Sequence, residues 1–374
     1  MVPNLRFSYK GDWSKRKLNE ICLFFKGNGL SKSDLSNEGF PCILYGELYT
    51  TYKNEVISDI ISKTNTTLSN PFLSRNNDLI IPGSGEDPID IAVARAIYQN
   101  DIILGGDLNI LRPKSNVSAA FLSYQLNGVR RYDIAKKAQG KSIVHLHNSD
   151  LKEVLVSIPS YDEQLHIVKL LTKIDEMIET QSKIIDTLSS QKKQIRNLIF
   201  KDIHKNANCC IQDYVIYEQP QKYIVHSTDY LSYGKNYTPV LTANQSFILG
   251  YTLEKDGIYE KGDCIIFDDF TNENKYVDFP FKVKSSALKI LQTKEGLMLK
   301  FFYEYLQFLN FESTDHKRHY LSEVAVTDIS VPNLKEQTFV CKIFTSFDNK
   351  LKNEEALLEK YRLQKQFFLN NLFI

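Results

Sequence analysis

Residues 157–164 read "SIPSYDEQ", and residues 330–337 read "SVPNLKEQ". Pro332 follows Pro159 by 332 − 159 = 173 residues, and the offset holds without a gap from there onward. Over residues 159–200 against 332–373, Pro159, Glu163, Gln164, Lys169, Thr172, Asp175, Gln191, Lys192, Asn197 and Phe200 all meet identical residues. The period is far longer than the roughly 20–50 residues of a solenoid repeat. It marks a duplicated, domain-sized unit.

Each copy of the motif reads as a helix start. Ser160 stands three residues before Glu163, and Asn333 three before Glu336, the spacing of a capping box or a close variant of one. After Pro159 there is no proline until Pro220 and no glycine until Gly234; after Pro332 there is neither. Each segment can therefore run about 40 residues as helix, roughly 60 Å. Their apolar residues recur every seven. Leu171, Ile178, Ile185, Lys192 and Ile199 share one heptad position, and Ile174, Gln181, Leu188 and Ile195 the other. In the second copy Phe344, Leu351, Leu358, Lys365 and Leu372 match the first set, and Phe347, Glu354, Tyr361 and Phe368 the second. This is a coiled-coil seam.

Both seams turn polar at the same places, Gln181/Glu354 and Lys192/Lys365. A parallel pair would set Lys192 against Lys365, two like charges in a dry seam. An antiparallel pair sets Lys192 opposite Glu354 and Gln181 opposite Lys365, which burial tolerates. The expectation is an antiparallel coiled coil between the two repeats, with polar surface positions as the alternative.

Four segments follow: globular residues 1–158, a central spacer helix over 159–205, globular residues 206–331, and a last spacer helix over 332–374. The globular segments echo each other in "DLIIPG" (78–83) and "DCIIFD" (263–268), "GDLNILRPK" (106–114) and "SALKILQTK" (286–294), and "FLSYQL" (121–126) and "FFYEYL" (301–306). "CILYGELYTTY" (42–52) and "TPVLTANQSFILGYT" (238–252) alternate as strands do. The expected fold is α/β (α+β): two similar small domains joined by two long antiparallel coiled-coil helices.

Composition limits the function. At 43% apolar and 24% charged residues the chain is an ordinary globular protein, and 374 residues suit two or more domains. A net charge of +1 announces no global field for a polyanion, so any such site is a local patch. Six scattered cysteines without zinc spacing point to reduced thiols in a cytoplasm. The N-terminal "MVPNLRFSYKGDW" has no apolar h-region and no 18-residue apolar run occurs, which argues against secretion and membrane spanning.

Catalytic motifs are scarce. There is no G-x-x-x-x-G-K-[ST], and "IPGSGEDP" (81–88) lacks a lysine and a following long helix. "SNPF" (69–72) is similar to the N/D-P-P-F/Y motif of amino-methyltransferases but lacks its second proline and a cofactor loop. His145 and His147 have no acidic or cysteine partner nearby in the sequence. Basic clusters do occur. "RRYDIAKKAQGK" (130–141) carries Arg130, Arg131 and Lys141, and "DHKRHY" (315–320) carries Lys317 and Arg318, each ahead of a helix-entry motif. Two such patches in two repeats fit phosphate contacts, with a solvated helix face as the alternative. Polar and aromatic loops fit base readout: Tyr49, Thr51 and Tyr52; Thr242, Asn244 and Gln245; and Lys275 beside Asn272 and Asn274.

The order of these features resembles the specificity subunits of Type I restriction–modification enzymes. The resemblance rests on "WSKRKLNEI" (13–21), "YGELYTTY" (45–52), "PVLTANQSFILGY" (239–251), "KRHYLSEV" (317–324) and the two [IV]-P-x-x-x-E-Q helix entries. It implies two target-recognition domains, each reading half of a split, asymmetric site on double-stranded DNA, with the helices fixing the gap. It also implies two methyltransferase subunits and two restriction/translocase subunits as partners, with adenine methylation and cleavage directed against foreign DNA. The chain itself would be non-catalytic and hold no cofactor or metal, S-adenosylmethionine, ATP and Mg belonging to the partners. The competing class is a non-DNA scaffold or a stand-alone enzyme whose coiled coil spaces two ligand-binding domains.

Overall fold

The computed structural model describes residues 3–234, 237–242, 247–311 and 320–374. It divides into two compact units, Met1–Lys183 with Ala356–Ile374, and Ile184–Glu355. The two expected spacer segments are single helices, Tyr161–His204 of 44 residues and Leu334–Asn371 of 38. Each helix contributes one part to each unit.

Both units are built on one plan. In the first, the main sheet runs Cys22–Lys26, Leu108–Pro113, Asp78–Pro82, Arg95–Ile97 and Val56–Ile57. In the second it runs Val215–Glu218, Leu288–Thr293, Cys264–Asp268 and Asn274–Val277. The echoed sequences thus hold matching places: Leu108–Pro113 and Leu288–Thr293 lie between the same two neighbours, all antiparallel. A smaller sheet recurs too. Phe40–Ile43 pairs antiparallel with Ser62–Thr64 and parallel with Ile103–Leu104; Thr238–Leu241 pairs likewise with Ile248–Thr252 and Lys282–Val283. The buried runs explain the strands: Asp78–Pro82 and Cys264–Asp268 are buried at every position, as strands covered on both faces must be.

One expected strand stops early. The alternation over 42–52 ends at Ile43, and Glu47–Thr50 form a helical turn. The Glu47 carboxylate accepts the Leu44 amide at 2.7 Å, a local bond that competes with strand pairing. The stretch 238–252 is two strands rather than one.

The motif that opens the long helices has a use beyond capping. Ser160 Oγ accepts the Glu163 amide at 3.4 Å, and Asn333 Oδ1 accepts the amides of Lys335 and Glu336 at 3.0 and 3.1 Å. Glu163 pairs instead with Arg6 and Trp13. The next residue, glutamine in both copies, is fully buried. Gln164 Oε1 accepts the Ser118 amide at 2.9 Å, and its Nε2 donates to the carbonyls of Asn116 and Pro159. Gln337 does the same with the Met298 amide and the carbonyls of Gly296 and Pro332, all at 2.8 Å. Ser118 and Met298 each stand at the N-cap position of a domain helix, Ala119–Asn127 and Leu299–Leu309. One carboxamide in each unit therefore ties a domain helix to a spacer helix.

Within each unit the spacer segments run antiparallel. In the first, Ile167 and Leu171 pack in one cluster with Leu369, Leu372, Trp13, Phe121 and Phe373, while Asp175 meets Lys365 further along. In the second, Phe200 packs with Val340, Cys341 and Phe344, while Lys192 meets Asp348. The expected partner of Lys192, Glu354, is corrected by this register. Lys192 Nζ lies 2.6 Å from Asp348 and 3.1 Å from Glu304 of the globular part. Lys365 Nζ lies 2.6 Å from both Asp175 and Glu55, so Gln181 is not its partner either. Lys192 and Lys365, like Asp175 and Asp348, are repeat-related identities. The heptad treats each seam as a two-position ladder, but a lysine stem spans to a flanking position, where Asp348 keeps one edge near water and Asp175 is buried.

A candidate nucleic-acid interface

In the first unit, strand Arg95–Ile97 delivers a guanidinium that is 8% exposed. Arg95 Nε donates to the Leu48 carbonyl at 3.1 Å and Nη2 to the Tyr52 carbonyl at 2.9 Å, so it fastens the Glu47–Thr50 turn from beneath. Burial lowers its pKa, and the nearby Glu55 carboxylate opposes that. Tyr49 on this turn and Arg131 from the short helix Arg131–Ala135 face a cavity of about 560 Å³. Burial raises the Tyr49 pKa. Five cations line the cavity, Lys53, Arg95, Arg131, Arg362 and Lys365, against the carboxylates Glu55, Asp90 and Asp175.

Its inner wall is the seam cluster. The Tyr124 hydroxyl donates to Asp175 Oδ2 at 2.6 Å, and Lys365 Nζ lies 5.7 Å from the Tyr124 ring centre. Burial raises the Asp175 pKa, against the attraction of Lys365. Burial alone would lower Lys365, but Glu55 and Asp175 together raise it. Two carboxylates share one ammonium here. In the second unit the balance is reversed: Asp348 and Glu304 meet Lys192, Lys300 and Arg196. Burial pushes Asp348 up, yet its hydrogen bonds from Lys192 and Lys300 hold it below the usual aspartate value.

The other expected contacts divide. Thr51 and Lys141 are exposed, and Thr51 shares a 3.3 Å hydroxyl contact with Thr50. Tyr52 is corrected to a core residue: it is 6% exposed and its hydroxyl accepts the Ile61 amide, so no edge is left for a base. Arg130 is spent internally on Asp133 and the Ile374 carbonyl, and Arg131 donates to the Ile89 carbonyl. Thr242 donates its amide to Phe247, closing the hairpin. Lys275 lies in a separate pocket of about 390 Å³ in the second unit, with Asn272, Asn274, Gln307 and Phe311. There Gln307 donates to Asn274 at 2.6 Å, and neither carboxamide atom of the buried Asn272 has a partner among the described residues. Asn244, Gln245, Lys317 and Arg318 lie outside the described residues.

Lys53, Arg95 and Arg362 were not anticipated. Lys53 adjoins the "YTTY" loop, and that neighbourhood was the only signal for it. Arg362 stands 57% exposed on a helix face that the heptad leaves unassigned. Among the described residues one trio, His226, Glu254 and Asp256, has metal-ligand proximity, but Glu254 already holds Lys282 at 2.7 Å. No helix is long and apolar enough to cross a membrane among those residues.

Residues 10–190 match the family described as the Type I restriction modification DNA specificity domain. The chain is 39% identical over 170 residues to the Escherichia coli EcoR124I/EcoR124II Type I restriction enzyme specificity subunit, covering 42% of this chain and 41% of that one. It is 26% identical over 252 residues to the MjaIX specificity subunit of Methanocaldococcus jannaschii, covering 66% of this chain and 56% of the other. The matches thus span about half the length of these relatives. The Type I S subunit of M. genitalium has the same fold, with a TM-score of 0.68 over 100% of this chain and 99% of that one at 18% identity.

Proposed function

We propose that this chain, whose residues 10–190 match the Type I restriction modification DNA specificity domain family, is the non-catalytic specificity subunit of a Type I restriction–modification complex. It reads a bipartite, asymmetric site on double-stranded DNA, one half per unit. Two methyltransferase subunits would supply S-adenosylmethionine chemistry on adenine, and two restriction/translocase subunits would supply ATP- and Mg-dependent cleavage. The observation that carries this reading is the repeated plan: two units with one strand order, each tied by a buried glutamine to a helix that both units share. A split site needs two alike readers. The cation-rich cavity beside Tyr49 supports the first unit's share, since phosphates are met by local Lys and Arg.

The test is adenine-methylation profiling of a strain with and without this chain, beside its methyltransferase subunit. Modified adenines should fall in one split, non-palindromic motif and vanish with the chain. Unchanged profiles would leave the scaffold reading in place.

A further inference from the structure

The repeat exposes in one unit what it covers in the other. In the first unit, residues 4–13 lie over the start of the central helix. Arg6 grips Glu163 with two bonds of 2.7 and 2.8 Å, and Glu163 is 1% exposed. The Tyr9 hydroxyl lies 2.5 Å from His166 Nδ1, the Phe7 ring sits 6.2 Å from the His166 ring, and the Leu5 amide donates to the Asn371 carbonyl. Adding 173 to Glu163 and His166 gives Glu336 and Phe339; subtracting it from Asn371 and Leu372 gives Leu198 and Ile199.

In the second unit no described residue covers that place. Phe339 is 67% and Leu198 73% exposed. Glu336 is exposed, and its carboxylate has no ion pair among the described residues. Between Ile199, Ile203, Pro332, Phe339 and Val340 runs an apolar groove of about 410 Å³, with Glu336 and Lys335 at its rim. A bare phenylalanine beside an unneutralised carboxylate repeats the surface that the arm satisfies in the first unit, without the arm.

We propose that this groove docks an extended segment of a partner protein that carries an arginine followed within a few residues by an aromatic side chain. The arginine pairs with Glu336 as Arg6 does with Glu163, and the aromatic packs on Phe339. The occupant is not a second copy of this chain, because each copy's arm is held by its own buried Glu163. Lys335 stands where the first unit has Asp162, so an acidic residue next to the aromatic strengthens the fit.

The probe is a fluorescent peptide of residues 3–13, titrated with the full chain without DNA. Saturable binding is expected, weakened at least about tenfold, near 1.4 kcal/mol, by Phe339→Ala or Glu336→Arg. An Arg6→Glu peptide should bind the Glu336→Arg chain better than the native peptide does, and a Lys10→Glu peptide should bind the unaltered chain more tightly. Both protein changes are at exposed positions, and circular dichroism checks that the helices remain. Absence of binding, or equal binding by the Glu336→Arg chain, overturns the proposal. Self-association of the chain that Phe339→Ala abolishes overturns it as well, since a second copy then fills the groove.

Discussion

Gln164 and Gln337 carry more of the architecture than their polarity suggests. Each fills three hydrogen-bonding roles at a buried joint, and the carbonyls they meet on Asn116 and Gly296 are turned by left-handed backbone at φ 65° and 94°. Replacing Gln164 by Leu strands one amide and two carbonyls. The expected loss is about 2–4 kcal/mol, from unsatisfied groups at 1–3 kcal/mol each less some relaxation. Trp13, the sole tryptophan, is 5% exposed in the first unit, so its fluorescence in a urea titration reads that unit alone. Gln337→Leu should leave the tryptophan transition nearly in place while lowering the helical transition. The glutamines stood in the opening motif from the start, yet capping logic explains only the serine and the glutamate. Two of each glutamine's three partners lie 39 to 48 residues away in sequence, beyond any local rule. The same holds for Tyr52, whose aromatic and hydroxyl suit a base or a core equally until burial decides. At the DNA-facing candidates, Arg362→Ala should weaken binding alike on all sequences and reduce the salt slope by about one, read by fluorescence anisotropy at several salt concentrations.

The spacer helices were legible as elements because breakers are absent for 40 residues and the apolar period is sustained. Their direction followed from the lysines. Their register did not, because the acid that meets each lysine sits beside the heptad seam and a second acid comes from the globular part. Lys192→Met with Asp348→Asn forms a double-mutant cycle; a coupling of about 0.5–3 kcal/mol is expected, whereas Lys192→Met with Glu354→Gln should be near additive. Acid should separate the two clusters. Asp348 is held below its unfolded value, so its contribution is full above about pH 4 and fades as pH falls through the folded value. Asp175 is raised, so the first unit gains as pH falls through that raised value and the gain is complete below about pH 4. Lys365 is raised too, so its contribution is full below about pH 10 and is lost as pH climbs through its folded value. Unfolding midpoints from pH 7 down to 3, read by Trp13 and by circular dichroism, should diverge in that sense, and Asp175→Asn should flatten the first.

At the scale of the molecule, the first unit is completed by residues 356–374, and the central helix carries repeat-equivalents of them: Lys192 for Lys365, Ile199 for Leu372, Phe200 for Phe373. A chain ending at Lys205 exposes Leu171, Phe121 and Trp13, and a second copy can cover them with its own central helix, restoring a lysine beside Asp175. Light scattering should give a dimer, which Lys192→Met weakens; under the proposed function, the motif methylated with methyltransferase subunits should become a palindrome of the first half-site. A folded monomer, or a motif that keeps the second half, defeats the duplication argument. The whole-chain plan was visible in the 173-residue offset, whereas the sharing of each helix between units was not, since a helix start looks the same whichever core it serves.

Phe373 packing on Trp13 and Phe121 also sets an order of events during synthesis. The first unit's sheet leaves the ribosome early, but its seam cannot close until Leu369, Leu372 and Phe373 emerge. At about 5–20 residues per second, residues 184–374 take on the order of 10–40 seconds to follow. During that interval Leu171 and Phe121 keep Trp13, Tyr124 and Ile167 as neighbours but lack Leu369, Leu372 and Phe373. A frameshift just before Leu369 therefore strikes the half that was translated first.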